Sequence, residues 1–450
     1  MNPMFSLSCR IGNVKRRSRR ACSVRSGSQI PVAMPTSQDQ SKLGVASGCS
    51  AFDHRLNAPL QMSDTGEDSA WCPADVRSHA SEWRVRSSSP NDHSRLATAY
   101  IGSIRRTNRA IHGSGAWRSY LSIVGTDLDH ALFTTCSARV VSGGALLLPA
   151  RKLFDYVRLL EGEDVAFTLL DNNWVQIRCG RSKTKMVGMS STNFPAVPEF
   201  PEKPAVRLPV HLFRSLLERV AFAISTQESR YTLSAALVQL ASDSITLVAT
   251  DGHRLAFAKA LECLDTVTTP TEYLLSLKGV QQLTALLANT QEEFVDFAAN
   301  DTTLFFRVGP RIYSVRKMPG KFPNYQAVMP TRNDRIVILS VKELVETLKR
   351  VAQFADDRSS LIRFSLGANQ LLISSSSTES GESEEILATP YEREPIAMGL
   401  NASYLLNALT VMAAAEVRLE LLNATTAVQL RPHTDDASLD YRVLVMPARA

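Results

Sequence analysis

Asp251 and His253 are the residues of this chain with the clearest claim to chemistry. They lie in Leu247-Val248-Ala249-Thr250-Asp251-Gly252-His253-Arg254-Leu255-Ala256, where an apolar strand enters a polar corner with glycine at its centre and then turns apolar again. A carboxylate two residues from an imidazole is a possible acid–base pair. On extended backbone, however, i and i+2 side chains share a face without having to touch. A hydrolytic or metal site also needs a nucleophile and an orienting third group, and neither stands nearby. The stretch therefore reads as a structural corner. No catalytic residue, metal ligand or cofactor is expected from it, and an enzyme built on Asp251 and His253 is the weakest of the functional readings.

Charge is unevenly placed along the chain. The 450 residues carry a net +6, yet residues 1–118 hold 17 Lys and Arg against 8 Asp and Glu, and the remainder 33 against 36. The basic excess belongs to a Ser- and Arg-rich leader with the cluster Lys15, Arg16, Arg17, Arg19, Arg20 and no acid before Asp39. Such composition suits a disordered tail, with a transit peptide or nucleic-acid arm as alternatives. A slightly acidic body can still hold DNA if its cations gather on one surface. Of seven cysteines, four (Cys9, Cys22, Cys49, Cys72) precede Tyr120 and none forms a CxxC pair. That argues against a zinc knuckle or a disulfide framework and suits a reducing cytoplasm. No apolar run reaches the length of a membrane span, so no membrane partner is expected.

From Leu146 onward one pattern recurs: apolar strand, polar corner, amphipathic helix, then alternating strands. It starts at Leu146-Leu147-Leu148-Pro149, again at Tyr273-Leu274-Leu275-Ser276, and again at Ile396-Ala397-Met398-Gly399. The helices are expected over Arg151–Leu160, Gly279–Leu287 and Ala402–Met412. A second helix, with Leu212, Leu216 and Val220 or Leu344, Leu348 and Val351 on one face, precedes the later repeats. The period is roughly 125 residues, too long for a solenoid and right for duplicated domains. Proline-rich boundaries at Pro198–Pro204 and Pro330–Asp334 give a leader over 1–80 and domains over 81–203, 204–330 and 331–450. The class is α+β: three similar domains, each an antiparallel sheet with two helices.

Four segments in order carry a family resemblance. They are Val124-Gly125-Thr126-Asp127-Leu128 with Pro149-Ala150-Arg151-Lys152-Leu153-Phe154, the Asp251 corner, Gly320-Lys321-Phe322-Pro323-Asn324-Tyr325, and Val445-Met446-Pro447-Ala448-Arg449-Ala450. From about Tyr120 to its end the chain resembles the bacterial sliding clamp, the beta subunit of the replicative DNA polymerase III. The resemblance implies a DNA-clamp fold, with two chains closing head to tail into a homodimeric ring around duplex DNA. Such a ring acts as a processivity factor and has no catalytic function of its own.

The resemblance also assigns surfaces. A ring that slides must meet phosphates with mobile cations rather than read bases. Arg151, Lys152, Arg158, Arg214, Arg219, Lys278, Lys342, Lys349 and Arg350 fall on helical patterns that would face the hole, while Gln227, Arg230 and Tyr231 match DNA-touching loop positions. Thr232 stands where the family often has a second aromatic. A groove for short peptides of the polymerase catalytic subunit, the clamp loader and other clamp-motif proteins would be lined by Leu233, Thr250, Gly252, His253, Arg254, Leu255, Pro323, Val328, Met446, Pro447 and Arg449. Small Ala448 and Ala450, where the family tail is bulkier, imply a shallower groove. The dimer seam would set Arg181, Lys183, Lys185 and Met186 against Glu382, Glu384 and Glu385, with Phe354 as an apolar plug.

Clamp domains resemble one another in opening with a strand, a helix and a Pro-centred strand. Neither the helix nor that strand is legible from Glu82 to Trp117. The first domain is therefore expected to lack its opening elements, through a disturbed frame or misassigned start. This keeps open a second reading, a divergent paralogue that binds partner peptides without closing a ring.

Overall fold

A computed structural model of the chain describes residues 5–10, 98–102, 120–140, 143–161, 164–201, 206–227, 231–264, 266–356, 359–434, 436 and 438–448. The first domain contributes β1 (Phe5–Arg10), β2 (Thr98–Gly102), β3 (Tyr120–Thr126), β4 (His130–Ser137), β5 (Arg139–Val140), β6 (Ala145–Pro149), α1 (Ala150–Val157), β7 (Asp164–Leu169), β8 (Trp174–Cys179) and β9 (Ser182–Val187). The second contributes β10 (Val206–Pro209), α2 (Val210–Ala221), β11 (Ala235–Ala241), β12 (Ser244–Thr250), β13 (Arg254–Leu261), β14 (Thr271–Ser276), α3 (Leu277–Ala288), β15 (Phe294–Ala299), β16 (Thr303–Val308) and β17 (Arg311–Arg316). The third contributes β18 (Arg335–Ser340), α4 (Val341–Val351), β19 (Leu361–Gly367), β20 (Gln370–Ser377), β21 (Gly381–Ala388), β22 (Ile396–Asn401), α5 (Ala402–Met412), β23 (Glu416–Leu421), β24 (Val428–Pro432) and β25 (Leu439–Val445).

The helices begin where the sequence offers caps. Ser276, Ser340 and Asn401 each accept a backbone N–H of the first turn, from Gly279, Glu343 and Tyr404 respectively. Pro149 and Pro209 precede α1 and α2, where their fixed φ leads the chain into the first turn. Leu344, Leu348 and Val351 form the buried stripe of α4, and Leu216, Leu217 and Val220 are fully buried on α2. α5 occupies Ala402–Met412, the span expected from its pattern.

Sheets run through the domain boundaries. β4 pairs antiparallel with β17, fusing domains I and II into one eight-stranded sheet in the order β10-β15-β16-β17-β4-β3-β2-β6. β13 pairs antiparallel with β25, fusing II and III in the order β14-β11-β12-β13-β25-β24-β23-β18. Two smaller sheets remain: β5-β1-β7-β8-β9 in domain I and β21-β20-β19-β22 in domain III. Among the described residues, β9 and β21 are edge strands with no further strand paired beyond them.

One large core lies between the helices and sheets of domains II and III, and a separate one fills domain I. A third apolar cluster sits on the opposite face of the II–III sheet. There Met318, Phe322, Tyr325 and Met329 of the interdomain linker cover Leu237, Val248, Leu255, Phe257 and Leu444. The linker is thus a built part of the sheet surface.

Two expectations about the N-terminal region need correction. Residues 5–10, inside the stretch expected as a leader, form β1 and pair in full register with β7, from Phe5↔Leu169 to Arg10↔Asp164. Residues 98–102 form β2, paired with both β3 and β6. Domain I therefore has two opening strands, separated in sequence by residues 11–97. They escape a reading that looks for a strand, a helix and a second strand together between Glu82 and Trp117. The leader cluster Lys15–Arg20 and the segment Glu82–Arg95 lie outside the described residues. Among the described residues domain I has one helix, α1, against the two expected.

Candidate functional site

The Asp251 corner is a hydrogen-bonded turn between β12 and β13. Thr250 Oγ1 donates to the Arg254 carbonyl at 2.6 Å and accepts from Gly252 N–H at 3.1 Å. Asp251 Oδ1 accepts the N–H groups of His253 and Arg254 at 2.9 and 3.0 Å, and Oδ2 accepts Arg254 Nε at 3.0 Å. Gly252 takes φ 90°, which a residue with a Cβ adopts only under strain. Both Asp251 oxygens are committed to holding the turn, and the imidazole of His253 lies instead against Tyr404, with ring centroids 6.5 Å apart. The arrangement is scaffolding for a surface, not an acid–base pair.

That surface is assembled from distant segments. The Arg254 guanidinium lies between two rings, 4.5 Å from the Tyr404 centroid and 5.2 Å from that of Phe222. β25 runs beside β13 with Arg254 opposite Val445, and Met446 N–H donates to the His253 carbonyl at 2.9 Å. Ala448 N–H then donates to the Gly399 carbonyl, tying the C-terminal segment onto β22. Of the expected groove residues, Leu255 is buried. Leu233, Thr250, Arg254 and Pro447 are half-buried, and Gly252, His253, Pro323, Val328 (53% exposed) and Met446 (45% exposed) are open to solvent. Val328 and Met446 thus leave apolar side chains open to solvent, Met446 directly at the polar corner. The linker approaches the Leu233 segment at Gly320, where a Cβ would come 3.2 Å from Thr232 Cγ2. Arg449 lies outside the described residues. Tyr404 and Phe222 were not expected; they stand far from Arg254 in sequence, and only the third-domain helix and α2 bring them to it.

The first domain repeats the corner. Thr126 Oγ1 donates to the His130 carbonyl at 2.8 Å, and Asp127 Oδ1 accepts Asp129 and His130 N–H at 3.2 and 2.7 Å. Leu128 stands where Gly252 does, at φ 80° and 77% exposed. Here Asp127 Oδ2 bridges to Lys278 of domain II, and His130 Nδ1 shares a 2.6 Å hydrogen bond with Tyr313 Oη. Burial opposes ionisation of Asp127, but the Lys278 hydrogen bond and the nearby His130 and Lys278 charges outweigh it and hold the carboxyl below its ordinary range. Burial pushes the His130 imidazole down and the Tyr313 phenol well up.

The expected DNA-facing cations divide into two groups. Arg151, Lys152, Lys342 and Lys349 are exposed, with no ion pair among the described residues. The others are engaged: Arg158 with Asp155 at 3.7 Å, Arg214 with Glu218 at 2.8 Å, and Lys278 with Asp127. Arg219 bonds Ser215 and lies over the Tyr441 ring, so it is used in the II–III junction rather than offered to a ligand. Arg350 is held by Glu385 at 2.5 Å through two nitrogens. Exposed helix pairs such as Arg214–Glu218 exchange readily, whereas Arg219 and Lys278 have structural partners. Gln227 is exposed; Arg230 and the Tyr231 side chain lie outside the described residues.

At the seam two expectations change. Met186 is 6% exposed and belongs to the core of domain I, because alternation along β9 turns it inward while Lys183, Lys185 and Val187 face out. Glu385 likewise turns inward to Arg350, whose hydrogen bonds, and then whose charge, hold the carboxyl below the ordinary range. Glu382 and Glu384 face out, as does Arg181 at the turn into β9, and Phe354 is half-buried beside β20 and β21.

Comparison with known proteins agrees with this architecture. Residues 116–198, 207–324 and 326–449 match, in order, the N-terminal, central and C-terminal domains of the DNA polymerase III beta subunit. The chain is 30% identical over 336 residues to the beta sliding clamp of Pseudomonas putida, covering 73% of this chain and 89% of that one. It is 29% identical over 330 residues to that of Vibrio cholerae, covering 73% and 88%. A solved sliding clamp from Bartonella birtlesii, bound to griselimycin, superposes with a TM-score of 0.73 at 25% identity, over 84% of this chain and 98% of that one. The fold and site define a member of the ring-clamp class of three-domain proteins. Within it, this chain belongs to the DNA polymerase III beta subunit family, the bacterial beta sliding clamps.

Proposed function

We propose that this chain is a processivity clamp of the bacterial cytoplasm. Two copies close a ring around duplex DNA, catalyse no reaction themselves, and hold the replicative polymerase, the clamp loader and other clamp-motif proteins through the groove between domains II and III. One observation supports ring closure above the rest. At each boundary inside the chain, the last strand of one domain (β17, β25) pairs with the second strand of the β3–β4 or β12–β13 hairpin of the domain before it. The unused equivalents are β9, the last strand of domain I, and β21, the second strand of the β20–β21 hairpin of domain III. Lys183 and Lys185 on the outer face of one, and Glu382 and Glu384 on the outer face of the other, suit the same head-to-tail join between two chains. Among the described residues no helix is long and apolar enough to cross a membrane.

The test is topological. Placed on a nicked circular duplex by a clamp loader with ATP, the protein is expected to co-elute with the circle and to be lost when the circle is cut once. Retention on the linear product would mean that ordinary contacts, not encirclement, hold the DNA.

A further inference from the structure

On the outer face of domain II, across the linker turn from the groove, lies a cavity of about 440 Å³. Its floor is one polar row running through four strands in register: Glu272 on β14, Gln239 on β11, Thr246 on β12 and Lys259 on β13. Phe257, Met329 and Tyr325 wall it, and Tyr325 stands 6.0 Å from the Phe257 ring.

The two ends of the row differ in chemistry. At one end Tyr325 Oη donates to Gln239, whose amide donates to Glu272 at 2.7 Å, so that carboxylate is already served. The other end lies roughly 14 Å away by strand spacing. There Asp440, the cross-strand neighbour of Lys259, is taken by Arg442 at 2.8 and 2.6 Å and by Arg431 at 3.3 Å. Two arginines thus hold the carboxylate opposite Lys259, and Lys259 itself has no ion pair among the described residues. Thr246 is 7% exposed and its hydroxyl has no hydrogen bond among the described residues, so it opens onto the cavity. An uncommitted ammonium and a hydroxyl beside Phe257 and Met329 call for a carboxylate carried next to an apolar group.

The linker turn Tyr325–Val328 and β13 belong to both surfaces: Val328 and Pro323 are exposed, Tyr325 and Met329 line the cavity, and Leu255 of the groove lies two residues from Phe257 of the cavity in one apolar cluster. A chain leaving the groove along this face of the sheet would meet the cavity next. We propose that the cavity is an accessory subsite for the flank of the peptide seated in the groove, taking an acidic side chain on Lys259 and Thr246 and an adjoining apolar one against Phe257 and Met329. The proposal rests on the groove being a peptide site.

The experiment compares labelled peptides that share a Leu-Phe anchor and carry Ser-Ser, Leu-Gln or Leu-Glu on either flank, read by fluorescence anisotropy against the full chain. From one flank, Leu-Glu is expected to tighten binding about three- to tenfold over Leu-Gln. The gain should vanish in Lys259→Gln and shrink in Thr246→Val, while the Ser-Ser peptide binds all three proteins alike. An equal gain in Lys259→Gln, or none from either flank, overturns the proposal. Failure of every anchor to bind would sink the groove reading instead. In that case acetyl-Leu-Glu-amide, followed at the Met329 methyl by NMR, decides the cavity: a shift lost in Lys259→Gln supports it, and no shift overturns it. Displacement of that shift by a short single-stranded oligonucleotide but not by acidic peptide would assign the site to nucleic acid and also overturn it.

Discussion

The junction between domains I and II and that between II and III share a corner nearly atom for atom. Thr126 and Thr250 donate to the carbonyl four residues on, and Asp127 and Asp251 each accept two backbone N–H groups with one oxygen. Asn423 in domain III accepts the N–H groups of Thr425 and Thr426 in the same way. What differs is the second carboxylate oxygen. Asp127 reaches across the boundary to Lys278, and His130 bonds Tyr313, so the first junction is a polar weld. Asp251 turns back on Arg254, whose guanidinium lies over both Phe222 and Tyr404, and His253 and Met446 stand exposed at this corner. One backbone device, duplicated, yields a closed joint in one place and, in the other, an open corner that the proposed function uses as its docking surface.

Removing the Arg254 clamp should break this contrast most severely. Arg254 and Asp251 side chains are only 11% and 15% exposed. Arg254→Ala removes the cation paired with a largely buried carboxylate and empties the space beside two rings, at a cost of about 3 kcal/mol, and weakens groove-peptide binding by about tenfold or more. Arg254→Lys should not restore binding, because an ammonium lacks the planar stack. Urea unfolding and anisotropy read both effects; unchanged peptide affinity in Arg254→Ala would remove Arg254 from the groove.

The two left-handed corner positions should respond with opposite sign. Gly252→Ala is expected to cost about 1 kcal/mol and Leu128→Gly to gain about as much, since Leu128 is strained and buries little. Thermal unfolding of both variants checks this, and equal signs would mean the corners are not equivalent. Lys278→Ala touches a bridge whose Lys side chain is 41% exposed. It should lower stability by under about 1 kcal/mol and leave groove-peptide affinity unchanged, which separates the two junctions.

The weld should be sensitive to mild acid. Burial lowers the His130 pKa below its ordinary 6.5, so the unfolded chain takes up this proton more readily than the fold. The His130 contribution is complete above 6.5 and is lost as pH falls through the folded value. Between about pH 7.5 and 5.5 the urea midpoint should drift downward, and less so in His130→Gln. An identical drift in that variant would place the sensitivity elsewhere.

Sequence periodicity was enough for most of the fold. The buried faces of α2 and α4 and the span of α5 follow from apolar spacing and caps. β1 was not legible, because six residues acquire meaning only through pairing with β7, more than 150 positions away. Site residues divide in the same way. The Asp251 corner is local and could be read, whereas Tyr404 and Phe222 depend on tertiary approach. Met186 and Glu385 turn inward within the chain because, in a strand, the face taken depends on a register that charge and hydrophobicity alone do not fix.

Closure of β9 onto β21 of a second chain is the central claim, and the native mass by light scattering across a concentration series tests it most directly. A dimer of about twice 49.5 kDa is predicted. It should dissociate in Lys183→Glu/Lys185→Glu and re-form when that variant is mixed with Glu382→Lys/Glu384→Lys. A native chain that stays monomeric at every concentration would contradict the ring.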